Sequence, residues 1–325
     1  MHELGHFLTA KLCGIRVNEF ALGMGPVLLK IKKGETQYAL RLFPIGGFVS
    51  MEGEDEDSAD EHAFNRKPVG SRILVVVAGA VMNILFGFVI VLVMMSSSSA
   101  LASTRVAKFE TSAQSSKTGL QINDTIERIN GAKINIDTDV ALALIEDADG
   151  KVDMQVLRGG KLVELKNVQF PMISDGNGGK VMQRDFWVYP ESKSIFNVLR
   201  HSFFWTIAMI KYVWVTFVSL FTGRFGLKDL AGPVGTTVAM GQAASQGLQS
   251  LLFMVALIAV NLGVVNLFPL PALDGGRLFF LLIELVRRKP IKPQYEGYVH
   301  FVGFALLMLL MVVVTYNDIL RLIKG

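Results

Sequence analysis

Long apolar runs alternate with polar segments along this chain. Residues 73–95 are apolar apart from Asn83. As a helix they would be about 35 Å long, enough to cross the roughly 30 Å hydrocarbon core of a bilayer. Residues 251–273 and 299–316 form two further apolar runs. The pattern predicts a multi-pass α-helical membrane protein with polar segments between its spans.

A fourth stretch, residues 203–221, is less apolar than the other three. It contains Lys211 and the aromatic residues Trp205, Tyr212 and Trp214. Trp and Tyr concentrate at membrane–water interfaces, and a lysine can extend its amine from an interfacial helix into water. We therefore predict that this stretch forms an interfacial or re-entrant helix that does not cross the bilayer.

The region between the first run and the fourth stretch resembles a soluble domain. Residues 105–171 alternate apolar and polar positions, as short strands do. Turn signals separate these stretches at Asn130-Gly131, Asp149-Gly150 and Gly159-Gly160. We therefore predict an α/β domain at 104–171 that is inserted into the membrane protein.

The pattern divides the whole chain into four segments. They are the first half of a membrane core at 1–95, the inserted domain at 104–171, a linker at 172–200 with a Gly-rich break at 175–179, and the second half of the core at 201–325. After the interfacial helix, this second half contains a span at 251–276, which includes two prolines, and a last span at 299–316.

Two polar features precede the first span. Residues 27–43 are typical of a β-hairpin that turns at Lys33-Gly34, and we expect it to be associated with the membrane. Its part at 38–43 would offer an edge for an added strand, or act as a structural flap. Residues 52–61 contain seven acids and no base. Like-charge runs are usually solvated, so we predict a solvated loop there.

Composition excludes several classes of protein. Hydrophobic residues make up 51% of the chain and charged residues only 18%, which argues against a disordered chain or an ordinary soluble enzyme. A net charge of +4 is too small to indicate nucleic acid as a partner. Cys13 is the single cysteine, so no intrachain disulfide and no cysteine-rich metal site is possible. Polar and titratable residues begin at His2, so we do not expect these first residues to act as a signal peptide.

The first residues carry the clearest chemical pattern, the sequence HELGH at positions 2–6. On a helix, His2 and His6 are one turn apart on the same face, where two imidazoles can bind one Zn²⁺ ion. Glu3 lies beside the first histidine, where a carboxylate can act as general base towards a water on the metal. The pattern predicts a catalytic zinc site with Glu3 as its acid–base group.

Catalytic zinc usually has three protein ligands, so one more is needed. Glu19 is the nearest acid downstream of the motif, and Asp274 is the only acid between residues 251 and 283. An acid at membrane depth is costly unless it is paired or binds a metal, which favours Asp274. The alternative is that Asp274 forms an ion pair with Arg277 at the interface.

A second motif far along the chain turns this pattern into a family resemblance. Residues 266–276 read NLFPLPALDGG. Together with HELGH, this stretch resembles the site-2 protease family of intramembrane zinc metalloproteases, in particular the bacterial RseP/RasP type with a single PDZ domain. Shorter stretches agree with the likeness, namely Gly46-Gly47-Phe48-Val49, residues 64–68 (FNRKP) and residues 232–235 (GPVG). One departure is Ala80, where the family often has proline.

The resemblance implies a function for each motif. It implies zinc ligands at His2, His6 and Asp274, with Glu3 as the catalytic residue. It also implies a set of residues that hold the substrate segment, which are Asn266, Pro269, Pro271, Gly46 and Gly47. The substrates so implied are single-pass membrane proteins such as anti-sigma factors, or signal peptide remnants, which another protease has already trimmed.

The inserted domain carries its own resemblance. Residues 116–131 resemble the PDZ pattern AGLxxGDxIxxING, with Asn123 in place of the usual glycine. Asn tolerates the left-handed backbone conformation better than most residues, so the turn can form. PDZ domains bind extended peptides at a sheet edge, and here the domain would filter trimmed substrates. The alternative is a spacer that has the fold but binds no ligand.

The basic residues predict the orientation in the membrane. They concentrate in segments 14–72 and 287–292, which both lie in the cytosol if positive residues remain inside. The span 73–95 then carries the PDZ-like domain outside. The span 251–276 returns Asp274 to the cytosolic side of the membrane, next to the two histidines. This requires that 203–221 does not cross.

The motifs are compatible with three functions. The leading one is a zinc-dependent endopeptidase of the cell membrane that cleaves transmembrane segments of single-pass proteins in regulated intramembrane proteolysis. The second is an inert membrane scaffold that binds peptides through its PDZ domain. Such a protein would not need the carboxylate of Glu3 between the two histidines. The third is a transporter, since intramembrane acids also mark ion paths, but the chain has few spans and no internal repeat.

The position of the zinc motif creates a further expectation. Only His2 to Leu12 are available for the helix that carries it, about three turns. The first four amide groups of a helix lack internal partners, which is costly in lipid. We therefore expect that the complete protein carries roughly 15–20 apolar residues before Met1 and has four spans with its N-terminus outside.

Overall fold

A computed structural model describes residues 1–54, 56–147, 149–174, 180–222, 230–289, 291 and 293–324. The chain forms two compact units. The first consists of Met1–Gly87 with Leu230–Gly325, and the second of Phe88–Asp229. The Gly-rich break predicted at 175–179 and Lys292 of the second basic segment lie outside the described residues.

The helices and strands follow one another in this order: α1 His2–Leu12, β1 Val17–Lys33, β2 Thr36–Met51, a 3-10 helix Phe64–Arg66, α2 Val69–Ser97, β3 Leu101–Phe109, β4 Thr125–Ile129, β5 Ala132–Lys133, α3 Asp137–Glu146, β6 Lys151–Arg158, β7 Lys161–Gln169, β8 Met172–Ser174, β9 Lys180–Met182, β10 Phe186–Glu191, α4 Ile195–Phe221, α5 Pro233–Gln246, α6 Leu248–Asn266, α7 Asp274–Arg287 and α8 Pro293–Lys324.

Within the described residues, four helices are long and apolar enough to cross a membrane. They are Val69–Ser97, Ile195–Leu220, Leu248–Asn266 and Gln294–Ile323. Three of them coincide with the spans expected from the apolar runs, and the chain is a multi-pass membrane protein with an inserted β-rich region. Helix α4 meets the same criterion of length and composition, and its interfacial position remains a prediction.

The span predicted at 251–276 is not one continuous helix. Helix α6 ends at Asn266, and α7 begins at Asp274. The loop between them contains Pro269 and Pro271. Proline has no backbone N–H to donate and disfavours helical geometry in the residue before it, so the helix stops and restarts. The break places Asp274 in the first turn of a new helix.

The predicted hairpin is present but is part of a larger sheet. Strands β1 and β2 fold back on themselves, because Gly23, Gly25 and Gly46 have the positive φ angles that turn the chain. Residues 19–22 pair with 37–40 on one side and with 47–50 on the other, while 27–33 pair with 36–41. The sheet therefore has four strand segments in the order 27–33, 36–41, 17–22 and 47–51.

This order corrects the expected edge. The segment that begins at Tyr38 lies inside the sheet between two neighbours, so it offers no free edge to an added strand. Within the described residues, the outer segments are 27–33 and 47–51, and no further strand pairs with either. The sequence could not show this arrangement, because residues 19–22 pair both with 37–40 and with 47–50, and no local pattern links these segments.

The second unit contains a six-stranded sheet. Its strand order is β10-β3-β4-β6-β7, and β5 pairs with β4. The sheet and α3 enclose an apolar core of fourteen buried side chains, among them Leu120, Ile126, Ile129, Met154 and Phe170. Asn123 has a φ of 74°, the left-handed conformation expected at this position of the PDZ pattern. This architecture is an inserted β domain, and its likeness to PDZ domains rests on the sequence pattern.

The predicted linker 172–200 contributes to this domain. Strand β10, residues Phe186–Glu191, pairs antiparallel with β3 at the edge of the sheet. Phe186 is 3% exposed and belongs to the domain core. The sheet therefore extends about twenty residues beyond the boundary expected at 171. The sequence pattern missed it because an edge strand of six residues has only a weak alternation.

Candidate metal centre

Helix α1 brings the two histidines of the motif together. His2 and His6 are separated by one helical turn, and their Nε2 atoms lie 3.1 Å apart. The ring planes meet at 85° with centroids 4.7 Å apart. Both lone pairs are thus directed towards one small volume beside the helix, as the spacing of the motif predicts.

Asp274 approaches the same volume from the other half of the chain. Its Oδ2 atom lies 3.0 Å from His2 Nε2 and 3.3 Å from His6 Nε2. Within the described residues, these three side chains form a group that is able to hold a metal ion. The position follows from the loop described above, because α7 begins at Asp274 and directs its first carboxylate back to α1.

The three ligand atoms fit a zinc ion. Tetrahedral zinc with bonds of 2.0–2.1 Å separates neighbouring ligand atoms by about 3.3 Å. The distances here, between 3.0 and 3.3 Å, match that triangle. Asp274 Oδ2 is buried and forms no hydrogen bond of normal geometry among the described residues. Two imidazoles and one carboxylate are also a usual donor set for catalytic zinc.

The outer faces of both rings are held by hydrogen-bonding groups. His6 Nδ1 lies 2.8 Å from the carbonyl oxygen of Val75, to which it donates. That bond leaves Nε2 without a proton and free to bind a cation. His2 Nδ1 lies 3.4 Å from the amide group of Asn83 and 3.5 Å from that of Asn266. A histidine that binds zinc through Nε2 carries a proton on Nδ1 and donates it, and either amide accepts this proton when its oxygen faces the ring.

Glycines allow the helices to approach the site closely. A Cβ atom at Gly79 of α2 would lie 2.2 Å from His6 Nε2, and one at Gly5 of α1 would lie 2.4 Å from the Ala78 carbonyl oxygen. Helix α6 approaches α2 in the same way, since a Cβ at Gly263 would lie 2.8 Å from the Ala80 carbonyl oxygen. The close packing of α2 against α1 and α6 brings Asn83 of α2 and Asn266 of α6 next to His2.

Glu3 lies beside the sheet. Its Cγ atom would be 3.4 Å from a Cβ atom at Gly47, in the outer strand segment 47–51. Gly46 has a φ of 71° and makes the turn into this segment. The structure therefore brings the predicted catalytic residue next to Gly47, one of the two glycines that the resemblance implies in substrate binding.

The prolines of the second motif lie in the loop that precedes Asp274. Pro269 is exposed and Pro271 is half-buried. A Cβ atom at Gly303 of α8 would lie 2.1 Å from Pro271 Cβ, so the last helix packs directly on this loop. Asn266, the last residue of α6, is half-buried and faces His2 as described above.

The other candidates for the third ligand and its partner are engaged elsewhere. Glu19 Oε1 accepts a hydrogen bond from Arg41 Nη2 at 2.7 Å. Arg277, the alternative partner of Asp274, forms ion pairs with Glu54 and, at 3.5 Å, with Glu296. Neither Glu19 nor Arg277 belongs to the group of three side chains around the candidate metal position.

The acidic run is a loop that is largely accessible to solvent, as expected, and it also forms ion pairs. Glu56, Asp57 and Glu61 are exposed, whereas Asp60 pairs with Arg16 and Glu54 pairs with Arg277. Arg277 is 223 residues away from Glu54 in the chain, so no local signal indicates this pair. The loop thereby connects to α7, the helix that carries Asp274.

The comparisons with known proteins follow this geometry. The family model "Peptidase family M50" matches residues 1–310. A protein of Clostridium perfringens named putative zinc metalloprotease CPE1693 is 38% identical over 98% of this chain and 94% of its own. The regulator of sigma-W protease RasP of Bacillus subtilis is 33% identical over 99% of this chain and 95% of its own. The putative zinc metalloprotease FN1322 of Fusobacterium nucleatum is 32% identical over 99% and 95%.

Proposed function

Because the chain belongs to peptidase family M50, we propose that His2, His6 and Asp274 are its zinc ligands and that Glu3 is its catalytic acid–base residue. The protein is a zinc metalloprotease with several membrane helices. The proposal is carried by one observation: three ligand atoms from the two ends of the chain form a triangle of the size that tetrahedral zinc requires.

Each residue then has a defined chemical role. Zinc, when bound, supplies a Lewis acid that polarises a carbonyl and lowers the pKa of a water. Glu3 accepts a proton at its carboxylate and passes it to the leaving amine. The amide groups of Asn83 and Asn266 lie beside His2 Nδ1, where an amide oxygen accepts the Nδ1 proton and keeps the ring oriented.

We assign substrate binding to the outer strand segment 47–51. A peptide bond within a helix hides its carbonyl, so a transmembrane substrate must unwind before it is cut. An extended segment can add to a sheet edge through backbone hydrogen bonds. Gly47 lies on this outer segment next to Glu3, and Gly46 makes the turn into it. Pro269 and Pro271 lie in the loop that precedes Asp274. These positions support an added strand that presents one peptide bond to the metal.

The substrates we propose are single-pass membrane proteins, such as anti-sigma factors or signal peptide remnants. The relative from Bacillus subtilis is named a regulator of sigma-W protease, which supports this class. The PDZ-like domain lies outside the cell in this proposal and admits substrates that another protease has trimmed. The active site lies near the cytosolic side, as the basic segments suggest.

Replacement of Glu3 by Gln tests the function. The amide has the same shape but cannot accept the proton, so we expect unchanged zinc content and loss of cleavage of a single-pass anti-sigma factor in vesicles. Asp274→Ala is the matched variant for the metal, and we expect it to lose zinc. Normal cleavage by the Glu3 variant would refute the mechanism. Absence of zinc from the unaltered protein would favour the inert scaffold.

A further inference from the structure

The loop before Asp274 contains an unusual backbone conformation. Ala272 has a φ of 70°, in the left-handed region that residues with a side chain rarely adopt. For a residue with a Cβ atom this conformation is unfavourable, because the Cβ comes too close to the following carbonyl oxygen. Ala272 lies two residues before Asp274, at the point where the chain leaves the proline-containing loop and enters α7. Something must therefore hold Ala272 in place.

His300 of α8 makes that contact. The backbone N–H of Ala272 donates to His300 Nδ1 at 3.0 Å. Because a backbone N–H can only donate, Nδ1 must be the unprotonated nitrogen of a neutral ring. One turn later on the same face of α8, Gly303 lies against Pro271 so closely that a Cβ atom there would be 2.1 Å from Pro271 Cβ. Helix α8 thus holds two consecutive residues of the loop.

The ring of His300 is itself fixed on other sides. The ring of Phe280, in α7, lies 6.1 Å away between centroids. His300 Nε2 lies 3.8 Å from Glu296 Oε1, and Glu296 Oε1 lies 3.5 Å from Arg277 Nε. The imidazole is therefore oriented by groups of α7 and α8, the two helices that follow the loop.

We propose that His300 is a positioning residue for the metal centre. It stabilises the left-handed conformation of Ala272 through one hydrogen bond and so fixes the direction in which Asp274 presents its carboxylate to the two histidines. His300 is not one of the three side chains grouped around the candidate metal position. The inference rests on the proposed role of Asp274 as a zinc ligand and adds the group that keeps this ligand in place.

The test compares variants that differ in one property each. His300→Leu removes the acceptor and keeps an apolar side chain of moderate size. His300→Asn retains an acceptor at the position of Nδ1. Ala272→Gly removes the need for support, because glycine adopts positive φ without a steric cost. Phe301→Leu is the matched control, since Phe301 is the next residue of α8 and is 72% exposed.

Zinc affinity of the full chain in detergent, measured by competition with a chelator, is the first measurement. Loss of an outer partner of a metal site typically weakens binding 10–100-fold, and an indirect partner belongs at the lower end. We expect His300→Leu to weaken zinc binding about tenfold, and His300→Asn and Phe301→Leu to remain near the unaltered protein. The double variant His300→Leu with Ala272→Gly should recover most of the loss.

The visible absorption of the Co²⁺-loaded protein is the second measurement, because it reports ligand geometry without any turnover. It should change in His300→Leu and return in the double variant. Unchanged affinity and spectrum in His300→Leu, while Asp274→Ala loses zinc, would overturn the inference and leave the proposed function intact. Equal loss in His300→Leu and Phe301→Leu would also overturn it. Zinc binding that survives Asp274→Ala would instead refute the proposed function.

Discussion

Replacement of Gly79 by Ala adds one methyl group where helix α2 meets both histidine rings. The new Cβ atom would lie 2.2 Å from His6 Nε2 and 2.8 Å from His2 Cε1. Ordinary van der Waals contact begins near 3.4 Å, so the first distance is about 1.2 Å too short. Either the rings or the helices must move.

The cost of this movement depends on the metal. Without zinc, an imidazole can rotate away at little cost beyond the His6 hydrogen bond to Val75. With zinc, the ring is fixed, because metal sites tolerate deviations of only about 0.2 Å in ligand distance. Overpacking of this kind typically costs about 1–3 kcal/mol. If the strain falls on the zinc-bound state alone, zinc binding weakens roughly 5- to 150-fold, since about 1.4 kcal/mol corresponds to a factor of ten.

Gly70→Ala provides the matched control on the same helix. A Cβ atom at Gly70 meets nothing within 4 Å. Both substitutions replace glycine by alanine in α2, and on helix propensity alone both should stabilise the helix slightly. Zinc affinity of the two variants would be compared by chelator competition. If Gly79→Ala binds zinc as tightly as Gly70→Ala, the proposed arrangement of α2 against the ligands is wrong.

Three further predictions use other contacts of the described residues. Gly47→Ala should retain zinc but lower the cleavage rate at least tenfold, because its Cβ would lie 3.4 Å from Glu3 Cγ and 2.8 Å from the Ala21 carbonyl oxygen. Loss of zinc in this variant would contradict the prediction. Glu19→Gln should keep zinc and Asp274→Asn should weaken its binding, as metal analysis would show; the reverse result would identify Glu19 as the third ligand. Asp124→Asn should destabilise the inserted domain by about 2 kcal/mol, because buried Asp124 accepts two hydrogen bonds from Arg158, at 2.7 and 2.8 Å. Unchanged resistance of this domain to proteolysis in the full chain would refute this prediction.

The residues that the structure brings together at the candidate site could be predicted from the sequence, and two of them follow from residue types at short spacing. HELGH specifies two imidazoles on one helix face and a carboxylate beside them. Asp274 could be selected because an acid within an apolar stretch is costly unless it is paired or binds a metal. The apolar runs gave three of the membrane helices for a similar reason, since the length needed to cross a bilayer is a simple physical limit.

Features that depend on pairing between distant residues were missed. The fold-back of the sheet depends on positive φ angles at Gly23, Gly25 and Gly46. It places residues 19–22 beside 37–40, so the segment that begins at Tyr38 is internal and does not form the expected edge. The ion pairs of the acidic run were not expected, because the partners Arg16 and Arg277 lie outside it. A sequence pattern shows the charges of such a loop, but it does not show which distant residues carry the opposite charges and pair with them.

His300 illustrates the same limit at the site. As a lone histidine near the start of an apolar helix, it belongs to no motif, and its partner is a backbone N–H that carries no residue identity. The glycines show a related effect. Gly5, Gly79 and Gly303 matter through the side chain that they lack, because each lets a backbone approach within a distance that a Cβ atom would forbid. A sequence states which residue types can bind zinc, whereas the backbone contacts that bring those residues within 3.3 Å of one another arise only when helices from both ends of the chain pack together.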